Sequence, residues 1–193
     1  MAVQLQGNLV KKAHKKIKYS DKMLADLAKC SDPDTGPMYF MENFLQIQHP
    51  TKGAIKFEPF EFQKNLVKNY HENRFSINML PRQTGKTTCA SAYLLWYAMF
   101  VPDSQILIAA HKYTGAQDIM NRFRYAYESV PDFIRPGIYS YNRNTIEFDN
   151  GSRVKATTTT ENTGRGMSLS CLLYTSDAAD EGLGVDLGGR RII

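Results

Sequence analysis

The sequence predicts an α/β fold on a mainly parallel sheet, and two observations carry that expectation. Apolar runs of strand length, residues 75–80 and 105–110, alternate with stretches of helical length, residues 89–99 and 114–130. Gly85-Lys86-Thr87 stands at the junction between the first strand and the first helix. Strands separated by helices of this length pair in parallel through right-handed crossovers. At 193 residues and 42% hydrophobic content, the chain is long enough for one core of ordinary size.

Taken in order, residues 1–19 form a basic arm in which Lys11, Lys12, Lys15, Lys16 and Lys18 crowd around His14. A run of this kind is expected to be solvated, the alternative being a phosphate-backbone contact with strong salt dependence. Residues 20–30 predict a short helix, with Ser20 as N-cap and Met23, Leu24 and Leu27 behind it. Ser31-Asp32-Pro33-Asp34-Thr35-Gly36-Pro37 is a loop by composition. Residues 38–47 predict an aromatic-rich helix, and residues 59–73 another, with Phe62, Leu66, Val67 and Tyr70 at helical spacing. Further on, Asp149-Asn150-Gly151 is a hairpin signal between Thr145-Ile146-Glu147-Phe148 and Ser152-Arg153-Val154. An apolar strand starts at Ser170 and runs to Tyr174.

Composition excludes several classes. No apolar run approaches a membrane span, and no signal-peptide pattern opens the chain. The three cysteines, Cys30, Cys89 and Cys171, lie far apart without metal-ligand spacing. That odd, sparse set predicts buried thiols in a reducing compartment. The net charge of +5 is modest, and its clustering near the N-terminus matters more than its size.

The chemistry centres on Pro81-Arg82-Gln83-Thr84-Gly85-Lys86-Thr87-Thr88. A strand, a tight loop and a helix opening on Gly-Lys-Thr make a cradle for a nucleoside triphosphate. Backbone N–H groups and the positive helix end face the phosphates, the lysine reaches the β/γ oxygens, and the hydroxyl of Thr87 can ligate Mg²⁺. The usual first glycine is missing, since Leu80 occupies its place. Arg82, inside the loop, is placed to meet γ-phosphate charge. Gln63, on the helix ahead of the loop, offers a donor and an acceptor for an adenine edge, with Phe60 available to stack. Arg165 lies between Gly164 and Gly166. It is either a sensor or finger reaching a neighbouring subunit, or a polar loop residue.

Several of these pieces together resemble the N-terminal ATPase portion of the large terminase subunit of tailed bacteriophages. Phe60-Glu61-Phe62-Gln63 resembles that family's adenine motif, and the loop from Pro81 to Thr88 its deviant phosphate loop, in which Arg-Gln replaces the glycine-rich start. Ile108-Ala109-Ala110-His111-Lys112 resembles the next strand and its polar end. Pro131-Asp132-Phe133-Ile134-Arg135-Pro136-Gly137-Ile138 and Ile146-Glu147-Phe148-Asp149-Asn150-Gly151-Ser152 resemble the segment that follows, and Arg165-Gly166 an Arg-Gly pair ahead of an acidic strand.

The resemblance implies a P-loop NTPase of helicase/terminase type with a three-layer core, incomplete at its C-terminus, spanning residues 20–174. It implies ATP and Mg²⁺ as ligands. The loop residues Arg82, Gln83, Thr84, Gly85, Lys86, Thr87 and Thr88, together with Gln63, would bind them, and Arg82, Lys86 and Arg165 would act in catalysis. The implied partners of the intact protein are double-stranded viral DNA, the portal protein, the small terminase subunit and further copies in a ring, in the host-cell cytoplasm. Two rivals stay open: a helicase-like ATPase acting on nucleic acid, and a non-enzymatic DNA-binding remnant using the N-terminal lysines.

After Leu172-Leu173-Tyr174 the family pattern calls for an Asp-Glu pair, in which Asp holds Mg²⁺ through water and Glu orients the attacking water. Here Thr175-Ser176-Asp177-Ala178-Ala179 follows, and the Asp-Glu at Asp180-Glu181 has no apolar strand before it. The string from Leu173 to Glu181 looks like translated sequencing-adapter read-through. Residues 175–193 are therefore expected to be a non-native tail, the nuclease domain absent and turnover negligible.

Overall fold

The computed structural model describes residues 10–49, 51–81, 83–160, 163–175 and 191–192, the last two by backbone alone. A seven-stranded sheet runs in the order β3-β9-β8-β4-β7-β6-β5. Its centre is β4 (Gln105–Ala110), apolar from Ile106 onward. It pairs in parallel with β7 (Arg153–Thr158) on one side and β8 (Cys171–Thr175) on the other. The parallel half continues through β9 (Arg191–Ile192) to β3 (Phe75–Ser76). The other end turns antiparallel through β6 (Thr145–Phe148) and β5 (Ile138–Tyr141). The predicted Asn-Gly hairpin joins β6 to β7, with Gly151 at φ +83, where a side chain is strained. Asn150 secures that turn by donating its amide to the Ala98 carbonyl at 2.9 Å.

Alternation along β4 assigns its two faces. Ile106, Ile108 and Ala110 join the main core with Cys171 and Leu173. Leu107 and Ala109 face the other way with Leu172, under Leu169 and Tyr174. The centre of the main core is α4 (Lys86–Phe100), buried on nearly every side, as its apolar sequence demands. Around it pack α1 (Asp21–Ser31), α2 (Gly36–Phe44), α3 (Glu61–Glu72) and α5 (Tyr113–Ser129). Ser20 caps α1, accepting from the Met23 N–H at 3.4 Å. Tyr70 of α3 meets Tyr93, and Phe40 of α2 meets Phe100.

Three expectations are corrected. The helix predicted over residues 38–47 stops at Phe44, where Leu45 turns extended at ψ 135. Beyond it β1 (Gln46–His49) pairs antiparallel with β2 (Gly53–Lys56). The physical reason is legible afterwards: Leu45-Gln46-Ile47-Gln48 alternates apolar and polar, and Gly53 at φ +70 supports the turn. The strand predicted over residues 75–80 shrinks to Phe75–Ser76. Phe75, Ile77 and Met79 are 55%, 75% and 93% exposed, and among the described residues the strand paired with β3 is the two-residue β9, which meets Phe75 and Ser76.

The basic segment departs from a solvated run as well. Lys11 is buried, and its ammonium donates to the Arg135 carbonyl at 2.6 Å. Its own carbonyl accepts from the Ile138 N–H at 2.9 Å, which lays the segment against β5. Asp149 clamps the joint, accepting from the backbone N–H groups of His14 and Gly137, each at 3.0 Å. Burial pushes the Lys11 ammonium below its ordinary value, although Asp149 and Asp132 pull the other way. Lys12, Lys16 and Lys18 stay exposed.

Candidate nucleotide site

The loop between β3 and α4 is built on two left-handed residues. Gln83 has φ +63 and Gly85 φ +79, and Lys86 begins the helix directly after them. Gly85 suits this conformation, while Gln83 is a non-glycine residue held where side chains are disfavoured. The Gly85 carbonyl accepts from the Cys89 N–H at 3.0 Å, so the helical ladder starts at once. The preceding N–H groups lie at the positive end of a 15-residue helix with no acidic residue in its first turn. That combination attracts an anion.

Three hydrogen bonds shape the loop. The Thr84 hydroxyl donates to the Pro81 carbonyl at 3.0 Å. The Lys86 ammonium donates to the Leu80 carbonyl, also at 3.0 Å, closing the neck of the loop. From α3, the Gln63 amide donates to the Thr84 carbonyl at 3.0 Å. Its oxygen accepts from the Phe60 N–H at 3.0 Å, in the manner of a capping box. The folded chain therefore brings Gln63 to the loop and buries it there. Phe60 and Phe62 stand exposed next to it, ring centroids 5.9 Å apart and nearly parallel at 8°.

Thr87 and Thr88 follow Lys86 in the first turn, both half-buried. Thr88 also lines a cavity of about 510 Å³ between β1, α4 and α5, with Gln46, His49, Asp118 and Arg122 on its walls. Sequence reasoning missed that cavity because it missed β1. Arg165 sits exposed on the crossover from β7 to β8, flanked by Gly164 at φ +80 and Gly166 at φ +75. It belongs to a different element from the loop. Arg82 and the Asp180-Glu181 pair lie outside the described residues.

The three cysteines are buried, and burial pushes the thiols of Cys30 and Cys89 up to about 12. Thiols in that range are inert as nucleophiles. Among the described residues no group of three or more His, Cys, Asp or Glu side chains is placed to hold a metal ion. Among them, too, no helix is long and apolar enough to cross a membrane.

Comparison with known proteins adds a family. A family model described as terminase large subunit, T4likevirus-type, N-terminal, matches residues 77–173, from just before the loop to β8. The large terminase of bacteriophage HK97 superposes with a TM-score of 0.56 at 18% identity, over 72% of this chain and 30% of that one. The large terminase ATPase domain of Thermus phage P74-26 matches twice. A mutant form gives TM-score 0.49 at 18% identity over 61% of this chain and 53% of that one. The other form gives 0.45 at 16% over 82% and 58%. At such identity the HK97 likeness is one of fold, and this chain spans about a third of that protein's length.

Proposed function

The chain belongs to the T4likevirus-type terminase large subunit family, as an N-terminal portion, and from that premise we propose that it is the nucleotide-binding part of a DNA-packaging motor. The observation that carries this reading is Gly85 at φ +79 opening α4, with Lys86 as its first residue. Lys86 exchanges the Leu80 carbonyl for the β/γ oxygens of ATP, and the N–H groups at the start of α4 hold the phosphates. Arg82 meets γ-phosphate charge, and Gln83, Thr84 and Thr88 complete the cradle. The base lies against Phe60 and Phe62, and Gln63 keeps one N–H and one lone pair for its edge.

Mg²⁺ fits this site through oxygen ligands, the Thr87 hydroxyl together with the phosphates themselves. When bound, the ion neutralises charge on the β- and γ-phosphates. Arg165, on its glycine-flanked turn, acts as the sensor or the finger toward a neighbouring copy. The intact protein works in this reading as a ring at the portal in the host cytoplasm, with the small subunit and viral double-stranded DNA as partners. This chain itself turns ATP over negligibly, because Thr175 ends β8 and Ser176 comes next in the sequence, where an acidic pair is needed.

Calorimetric titration with MgATPγS tests the site. Wild-type chain should bind, and Lys86→Ala should lose about tenfold or more, the loss of one charge-assisted contact. Equal affinity in the two would remove the assignment. A helicase-like ATPase shares the glutamine motif and Gly85-Lys86-Thr87, and turnover stimulated by free nucleic acid rather than by proheads would favour it in the intact protein. One observation supports the DNA-binding remnant: Lys12, Lys16 and Lys18 are exposed on a segment fixed to the sheet by Lys11. That reading requires DNA affinity that survives Lys86→Ala and falls steeply with salt.

A further inference from the structure

Gln63 is 6% exposed, and its amide works in two directions at once. Its oxygen accepts from the Phe60 N–H at the head of α3, and its nitrogen donates to the Thr84 carbonyl in the phosphate loop. Thr84 lies between two residues of positive φ, Gln83 at +63 and Gly85 at +79. A left-handed non-glycine residue costs about 1–2 kcal/mol, so the loop holds this shape only where its surroundings impose it. The Gln63 amide is such a constraint from a separate helix, twenty-one positions away in sequence. It also nests against Gly85, where an added Cβ would meet the amide nitrogen at 2.7 Å.

We propose that Gln63 is a positioning residue for the phosphate loop, in addition to any contact with a base. It fixes the Thr84–Gly85 peptide so that the N–H groups opening α4 converge on one phosphate. The structural half of this role stands on the loop alone, while its consequence for affinity rests on the nucleotide reading above. An amide has two N–H groups and two lone pairs, and one of each is already engaged inside the protein. Any base held by the remaining pair is thereby linked mechanically to the loop that holds the phosphates.

The variant that separates the two roles is Gln63→Glu. It keeps an oxygen for the Phe60 N–H but turns an acceptor toward the Thr84 carbonyl. Amide hydrogen exchange should quicken over residues 83–87 while α3 stays protected, which also shows that the variant folds. Affinity for Mg²⁺-tripolyphosphate, which has no base, should fall about fivefold at pH 8, the worth of one hydrogen bond, and MgATPγS should lose at least as much. The ratio of wild-type to variant affinity should shrink at pH 5, where a protonated carboxyl can again donate to Thr84. Unchanged loop exchange would overturn the proposal. So would a loss confined to MgATPγS with tripolyphosphate unaffected, since that pattern belongs to a base reader alone. If wild-type chain binds neither polyanion, the nucleotide reading fails, and faster loop exchange in the variant still upholds the positioning role.

Discussion

The indole N–H of Trp96 donates to the carbonyl of Cys30 at 2.8 Å, joining the last residues of α1 to the C-terminal half of α4. Gly36 lies close to the same joint: a Cβ there would sit 2.5 Å from the Cys30 oxygen and 3.3 Å from the indole nitrogen. Trp96→Phe should leave a buried carbonyl unpaired and cost about 1–3 kcal/mol, read as a lower urea midpoint at constant slope. An unchanged midpoint would show that α1 contributes nothing to the core through this bond.

Gly85→Ala bears on the loop itself. The residue is left-handed, and its Cβ would press on the buried Gln63 amide. The strain of that conformation is about 1–2 kcal/mol, and the loop has to shift to relieve the contact. MgATPγS affinity should therefore drop in calorimetry even though Lys86 is untouched. Retention of full affinity would mean that the loop does not need this geometry to bind.

Phe75, Ile77 and Met79 expose apolar side chains at alternate positions along the segment leading to the loop. Such a patch beside a short, barely paired strand promotes association. Ile77→Lys together with Met79→Lys should reduce light scattering in concentrated samples. Stability should stay within about 0.5 kcal/mol, as for surface changes generally. Scattering that does not respond would place the sticky surface elsewhere.

Asp132 links the basic segment to the rest of the domain. Its carboxylate pairs with Arg135 and, at 3.1 Å, with Lys15. Partial burial would raise its pKa, but hydrogen bonds from Arg135 and Lys15 outweigh that and hold it below the ordinary aspartate value of 3.8. A depressed folded value means that the stabilisation is complete above 3.8 and is lost as pH falls through the folded pKa. Asp132→Asn should flatten the acid limb of stability below about pH 4, where an ordinary aspartate protonates. An acid limb identical to wild type would show that the pair is energetically silent.

Much of this molecule was readable one window at a time. The run 106–110 has only apolar residues, and a strand buried on both faces is what such a run becomes. Ser20 before Asp21 sets the start of α1 through a bond three residues away. Asn150-Gly151 sets a hairpin because the backbone there needs a positive φ. Gly85-Lys86-Thr87 marks a helix start for the same kind of local reason, and the family match begins just upstream of it, at residue 77.

Tertiary structure alone decided the rest, because the deciding partners are distant in sequence. Lys11 reads as one more solvated lysine until Arg135, 124 positions on, offers its carbonyl and the β5 edge takes up the segment. Gln63 reads as an amide facing a base until the folded chain sets Thr84 against it. Residues 75–80 read as one strand, yet Ile77 and Met79 are 75% and 93% exposed, and among the described residues β9 pairs with Phe75 and Ser76 alone. Local pattern specifies what a segment can become, and long-range packing specifies which of its polar and apolar groups find partners.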